Sequence, residues 1–99
     1  MNFEIPDNFK FTIYSKSNCI YCTKVKTLLI RENLPFIEYN CDTYLDNYKK
    51  EFLDFIKHLA NTNHKTFPIV FNKGSYIGGY TETNNYLDKL NLFNYTSDF

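Results

Sequence analysis

FTIYSKSNCIYC, residues 11–22, is the stretch that decides the fold. It begins within an alternating run, residues 10–15, whose β-branched and aromatic side chains predict a strand. A helix-like run begins near Thr23, so the pair Cys19 and Cys22 lies where a strand gives way to a helix. A sulfur at a helix N-terminus faces unpaired backbone N–H groups and the positive end of the helix dipole, and both favour a thiolate.

The Cys-x-x-Cys pair has three interpretations. A thiolate beside a second thiol can carry out disulfide exchange. The pair can instead supply half of a zinc site, but the candidate further ligands, Cys41, His58 and His64, are not in a paired ligand spacing. Two inert packing thiols are the third interpretation. We favour redox chemistry because the other motifs of the chain agree with it, and we expect no metal site.

Length and composition narrow the protein class. The 99 residues suit one domain, 1–99, with a core over about residues 10–90. A formal net charge of zero gives no reason to expect a nucleic-acid or anionic-membrane partner. Three cysteines, an odd number without framework spacing, favour a reducing compartment. Residues 1–7 do not resemble a signal peptide, and no apolar run approaches the ~20 residues of a membrane span. We expect a soluble, cytoplasmic monomer.

The middle of the chain predicts a helix, a strand and a second helix. The first helix should end near Asn33, because Pro35 disfavours helix at the residue before it. Residues 36–40 predict a strand, and Asp42–Ala60 predicts one long helix capped by Asp42 or Thr43. The apolar stripe of the first helix is Val25, Leu28 and Leu29. That of the second is Leu45, Tyr48, Phe52, Phe55 or Ile56, and Leu59.

The last third of the chain predicts a hairpin and a helix. After a polar break at 61–64, the runs 69–72 and 75–77 predict strands joined by a tight turn. A last helix is expected over Thr81–Leu90, followed by irregular chain after Asn91. Its inward-facing side chains would be Leu87, Leu90 and Phe93. The element order implies a parallel βαβ unit followed by antiparallel strands. We predict a single α/β domain, a four-stranded mixed sheet flanked by about three helices.

Three motifs, in this order, resemble a dithiol glutaredoxin of the thioredoxin-fold superfamily. Lys16 precedes the cysteine pair, TFP at 66–68 precedes the third strand, and IGGYTE at 77–82 leads into the last helix. Each alone has an ordinary interpretation: an exposed lysine, a proline at a strand start, and a glycine turn with a capping threonine. Their order and spacing across residues 10–90 are specific to the family.

The resemblance implies a role for each position. Cys19 would be the exposed nucleophile and Cys22 the resolving thiol, with Pro68 a cis proline packed beside them. Glutathione would lie in one groove, with its glycine carboxylate at Lys16, its cysteinyl part against the Phe67 backbone, and its γ-glutamyl end at the start of the last helix. The implied glutathione-binding residues are Lys16, Tyr21, Thr66, Phe67, Pro68, Gly79, Tyr80, Thr81 and Glu82.

Three positions depart from the family pattern. Ile20 stands where dithiol glutaredoxins usually have proline, Phe67 where valine is usual, and Glu82 where aspartate is usual. Ile20 relaxes the active-site turn, Phe67 reshapes the groove, and Glu82 places its carboxylate one methylene further out. The sequence also gives no sign of the N-terminal helix of longer glutaredoxins.

The implied activity is glutathione-dependent reduction of protein disulfides and of protein–glutathione mixed disulfides, with glutathione as co-substrate. Two alternatives stay open. One is a dimer holding a 2Fe-2S cluster through two Cys19 thiolates and two glutathiones, which Ile20 makes conceivable. The other is a thioredoxin-type redoxin that supplies electrons to ribonucleotide reductase. We expect Cys41 to be a small buried hydrophobe, His58 a favourable cation near a helix end, and His64 a solvated side chain.

Overall fold

Four strands and four helices make up the fold. The computed structural model describes residues 2–97, with side chains described for residues 2–91. The elements are β1 (Phe11–Ser15), α1 (Ile20–Arg31), β2 (Phe36–Asn40), α2 (Asp42–Asn47), α3 (Lys49–Ala60), β3 (Ile69–Asn72), β4 (Ser75–Gly78) and α4 (Tyr80–Ser97). Within these described residues, no helix combines the length and apolar character needed to cross a bilayer.

The strands form one mixed sheet in the order β2-β1-β3-β4. β1 lies in the interior, parallel to β2 over its whole length and antiparallel to β3. β3 and β4 form the predicted hairpin, turning at Lys73 and Gly74, which have φ values of 53 and 83. Only residues that tolerate positive φ suit such a turn, and glycine does so without a steric cost. The mixed four-stranded α/β fold predicted from the sequence is confirmed.

The core has two halves, one on each face of the sheet. All five β1 residues are buried, and successive side chains alternate between the faces, Ile13 on one and Tyr14 on the other. The half beneath α1 and α4 contains Phe11, Ile13, Val25, Leu28, Leu29, Val70 and Leu87. The half beneath α3 contains Tyr14, Cys41, Phe52, Ile56, Ile69 and Phe71. Burial on both faces fixes β1, and thereby the position of the loop that carries Cys19.

The single helix predicted over Asp42–Ala60 is wrong, because Tyr48, with φ −140 and ψ 37, separates α2 from α3. The rings of Tyr44 and Phe52 stack with centroids 5.3 Å apart, and Phe3 packs edge-on against both. Eight residues of continuous helix rise about 12 Å, so this aromatic cluster requires the break. Tyr48 is consequently 38% exposed and does not lie on the buried face.

The start of α2 and the bounds of α1 also differ from the predictions. Neither Asp42 nor Thr43 is the N-cap of α2; Cys41 occupies that position and its side chain makes no capping bond. The Asp42 carboxylate instead accepts hydrogen bonds from the backbone N–H and the hydroxyl of Ser17. α1 begins at Ile20 rather than near Thr23, and it ends at Arg31 rather than near Asn33.

The last helix is longer than predicted. α4 runs from Tyr80 to Ser97, so the expectation of irregular chain after Asn91 is wrong. Residues 80–97 contain neither proline nor glycine, and nothing in their sequence stops a helix. Leu87 is buried as predicted, whereas Leu90 is 42% exposed. The side chain of Phe93 lies outside the described residues.

Candidate active site

Cys19 and Cys22 occupy different environments at the start of α1. Cys19 is the N-cap residue, half-buried, and its Sγ accepts the backbone N–H of Cys22 at 3.3 Å. Cys22 lies one turn inside the helix and is only 2% exposed. The two form a disulfide. The backbone N–H of Cys22 and the N-terminus of α1 both point at Cys19 and favour its thiolate in the reduced protein, whereas Cys22 is shielded from solvent.

The cis Phe67–Pro68 bond lies beside this pair. The bond is cis, as the sequence predicted, and Pro68 is fully buried at the entrance to β3. The Sγ of Cys19 lies 3.6 Å from the carbonyl oxygen of Phe67. β3 is antiparallel to β1, so its start lies next to the end of β1, where the cysteine loop begins. The sheet topology therefore brings together two motifs that are 48 residues apart.

A groove of about 200 Å³ extends from this point to the start of α4. Its lining residues are Tyr21, His64, Thr66, Phe67, Pro68, Gly79, Tyr80, Thr81 and Glu82. Of the nine binding residues predicted from the sequence, all but Lys16 therefore line one groove. The rings of Tyr21 and Tyr80 pack with centroids 5.7 Å apart and close one side of it.

The start of α4 is organised by two glycines and a carboxylate. Glu82 Oε1 accepts the backbone N–H of Gly79 at 2.8 Å, the second half of a capping box. The hydroxyl of Thr83 donates to the carbonyl of Gly79, also at 2.8 Å. Gly78 has φ 141, and a Cβ there would lie 2.7 Å from the Glu82 side chain. Gly78 is thus required for the close approach of Glu82, and the longer carboxylate folds back onto the helix end.

His64 is a groove residue that the sequence did not identify. The expectation that it is solvated is wrong: it is half-buried, and its Nδ1 lies 2.5 Å from the hydroxyl of Tyr76. Burial lowers the pKa of His64, although Glu82 and a hydrogen bond with the Thr66 backbone oppose that shift. Its position two residues before Thr66 was the only sequence signal that pointed to a place for His64 in the groove. Its hydrogen-bond partner, Tyr76, lies on β4 and could not be identified from local spacing.

Lys16 lies outside the groove and is exposed. Its loop is tied to α2, because Ser17 donates its backbone N–H to Asp42 at 2.9 Å. Hydrogen bonds from Ser17, with a smaller contribution from the charge of Lys16, lower the pKa of Asp42. A second cation that the sequence analysis did not single out, Lys24, lies 5.0 Å from the centre of the Tyr21 ring. Neither lysine is among the residues that line the groove.

The remaining candidates do not join the site. Cys41 is fully buried beneath α3, and burial raises the pKa of its thiol to about 12. His58 is exposed on α3. Among the described residues, no group of three or more His, Cys, Asp or Glu side chains is arranged to hold a metal ion.

Known proteins match both the sequence and the fold. The sequence profile of the family described as Glutaredoxin matches residues 11–77. The chain belongs to the glutaredoxin family. A probable glutaredoxin of Acanthamoeba polyphaga mimivirus is 33% identical over 82 residues, covering 79% of this chain and 77% of that protein. The chain spans about half the length of a bovine mitochondrial glutaredoxin-2, of which it covers 48%.

Two solved glutaredoxins share the fold of this one. Glutaredoxin 1 from Francisella tularensis, complexed with cacodylate, is 29% identical with a TM-score of 0.72, covering 82% of this chain and 94% of that one. A buckwheat glutaredoxin–glutathione complex is 25% identical with a TM-score of 0.64, covering 81% of this chain and 70% of that one. Family membership and the Cys19–Cys22 pair make this glutaredoxin a thiol oxidoreductase of the dithiol type.

Proposed function

We propose that this glutaredoxin is a glutathione-dependent oxidoreductase that reduces protein–glutathione mixed disulfides and protein disulfides. One observation carries the proposal: a single groove starts beside Cys19 Sγ, at the Phe67 carbonyl, and ends at the N-terminus of α4. The similar buckwheat glutaredoxin complexed with glutathione supports the same ligand class.

The charges around the groove suit glutathione, which has a carboxylate at each end and an ammonium beside one of them. Backbone N–H groups at the start of α4 suit the γ-glutamyl carboxylate, and Glu82 suits the ammonium. The bond to Gly79 uses one of the two Glu82 carboxylate oxygens. Lys16 is outside the groove lining, but it precedes Cys19 by three residues, and its cation suits the glycine carboxylate. The Phe67 backbone would hold the cysteinyl part close to Cys19.

In the monothiol route, the Cys19 thiolate attacks the glutathione sulfur of a protein–glutathione mixed disulfide. A disulfide forms between Cys19 and glutathione, and the protein thiolate leaves and takes up a proton. The thiolate of a second glutathione then attacks the glutathione sulfur of this adduct. Oxidised glutathione forms and the Cys19 thiolate is restored. Cys22 is not needed in either step.

In the dithiol route, Cys19 attacks a protein disulfide and becomes linked to one of its sulfurs. Cys22 then attacks Cys19, the Cys19–Cys22 disulfide forms, and the target leaves as a dithiol. Two glutathione molecules reduce the pair again and leave as oxidised glutathione. The internal attack needs no large motion, because the two cysteines have Cα atoms 5.3 Å apart. We further propose that the protein acts as a monomer in the cytoplasm, where glutathione keeps such thiols reduced.

The test compares two electron sources on one substrate, a peptide in mixed disulfide with glutathione. We expect steady turnover with glutathione and glutathione reductase, and background rates with thioredoxin reductase. The reverse result, turnover with thioredoxin reductase but not with glutathione, would contradict the proposal and favour a thioredoxin-type redoxin. Cys19→Ser protein is the matched control for reaction between glutathione and the peptide alone.

A further inference from the structure

His64 lines the groove at the end where the γ-glutamyl group would lie, and Tyr76, which is not a lining residue, holds it there. Their rings meet edge to face with centroids 5.7 Å apart, and the hydroxyl of Tyr76 is 2.5 Å from Nδ1 of His64. A Cβ on Gly79 would lie 3.8 Å from His64 Cε1, so the imidazole edge borders the start of α4. His64 thus borders the end of the groove opposite Cys19, and Tyr76 supports it from outside the lining.

Both members of this pair are held in their neutral forms. Burial lowers the pKa of His64, and the groups that oppose the shift are Glu82, on α4, and the backbone of Thr66. Burial raises the pKa of Tyr76, which belongs to β4, and Glu82 raises it further. A neutral imidazole bonded to a neutral phenol leaves the groove wall without a charge near neutral pH.

The neutral state of His64 matters because Glu82 is then the only charged side chain among the described residues that line the groove. A γ-glutamyl group brings an ammonium that needs a carboxylate partner. A cationic imidazole beside Glu82 would compete with this ammonium, whereas a neutral one does not. An alanine in its place would open the wall to water and weaken the attraction between Glu82 and the ligand.

We propose that His64, held by Tyr76, is a specificity-determining residue for the γ-glutamyl group of glutathione, because its neutral ring closes the groove and leaves Glu82 to the ligand's ammonium. This inference rests on the proposed function, since it assigns one end of the glutathione groove. It predicts that His64 affects the choice of ligand and leaves the reactivity of Cys19 unchanged.

The experiment measures transfer from a peptide mixed disulfide to reduced protein, in a Cys22→Ser background so that only Cys19 reacts. One substrate carries glutathione and the other carries Cys-Gly, which lacks the γ-glutamyl group. We expect the background protein to prefer the glutathione form. His64→Ala should lower that preference by about three- to tenfold, the worth of one polar interaction, with an unchanged rate for the Cys-Gly form.

Two variants control this measurement. His64→Asn keeps an acceptor at the position of Nδ1 and should retain most of the preference. His58→Ala removes the other histidine, which is exposed on α3, and should change neither rate. An undiminished preference in His64→Ala overturns the inference, and so does an equal loss for both substrates. A background protein without any preference instead contradicts the proposed function.

Acidity supplies an independent readout. The ratio of the two rates cancels the ionisation of Cys19, which both substrates share. As the pH falls through the lowered pKa of His64 and the ring gains a proton, its cation competes for Glu82. We expect the preference for glutathione to fall in the background protein and to stay constant in His64→Asn. A preference that is independent of pH in both proteins contradicts the role of the neutral ring.

Discussion

Cys19 and Cys41 occupy equivalent places relative to the strands and helices, but they differ in burial and in the hydrogen bonds of their sulfurs. Each follows a strand of the parallel β1–β2 pair, and each is the N-cap residue of the next helix. Cys19 is half-buried and accepts a backbone N–H, while Cys41 is 0% exposed and its Sγ donates to the Tyr39 carbonyl at 3.4 Å. Burial raises the pKa of Cys41 to about 12.

The difference shows that a helix N-terminus does not by itself make a reactive thiol. α2 has six residues, against twelve in α1, and its N-cap sulfur faces the aromatic core beneath α3. The cost of burying a charge then exceeds any stabilisation from the helix end. Cys19 is only half-buried and lies beside the groove at the Phe67 carbonyl, and we therefore propose it, and not Cys41, as the nucleophile.

Replacing each cysteine in turn should give the largest contrast. Cys19→Ser should lower reduction of a glutathionylated peptide by about 1,000-fold or more, because the nucleophile is lost. Cys22→Ser should retain this activity and lose the reduction of protein disulfides, which needs the resolving thiol. Cys41→Ala should retain both activities. Steady-state rates with the two substrate types check all three variants.

Alkylation of the reduced protein tests the same contrast without mutation. At mildly acidic pH the label should map to Cys19, and Cys41 should react only after unfolding. Labelling of Cys22 in preference to Cys19 would contradict the assignment of the nucleophile, and rapid labelling of native Cys41 would contradict its burial.

Replacing Cys41 should instead change the free energy of unfolding and the way that this free energy depends on pH. Cys41→Ala should cost about 1–2 kcal/mol at neutral pH, since it leaves a small cavity. The folded-state pKa is raised from 9.0 to about 12, so the thiol's contribution is complete below pH 9 and is lost as the pH rises toward 12. The difference in the free energy of unfolding between the two proteins should therefore narrow by up to about 1.4 kcal/mol per pH unit above pH 9, and should close before pH 12.

Urea unfolding of reduced wild-type and Cys41→Ala protein at several pH values measures this gap. Both proteins keep Tyr14, whose pKa is raised chiefly by burial, so the comparison cancels this burial effect and retains only the smaller part that the charge of Cys41 contributes to the Tyr14 pKa. A constant gap across the alkaline range would mean that the Cys41 thiol ionises similarly in the folded and unfolded states.

The smallest effects should come from two charged side chains, Lys16 outside the groove and Glu82 in its lining. Lys16→Ala should raise the KM for glutathione less than about fivefold and leave kcat unchanged, because exposed charges contribute little. Glu82→Ala should have the larger effect of the two, since its carboxylate lines the groove and also caps α4. Unchanged kinetics in both variants would argue that this groove does not bind glutathione.

Short-range patterns made the strands and most helices predictable. β1 and β2 follow directly from alternating and β-branched residues, and the hairpin turn follows from Lys73-Gly74. The break at Tyr48 was not predictable in this way, because its cause is the packing of Phe3 against rings from two helices. A helical periodicity continues through such a break, since sequence spacing does not record long-range contacts.

The sequence by itself determined the fold class, the reactive pair and the three motifs that surround it, because these depend on residue type and local spacing. Tertiary structure alone decided that a break at Tyr48 divides the second helix, that Lys16 lies outside the groove, and that His64 lies within it against Tyr76. Burial and charge depend on neighbours distant in sequence, here a partner 12 residues away across a hairpin. A residue's chemistry therefore depends on its environment, and that environment exists only once the sheet and helices have packed.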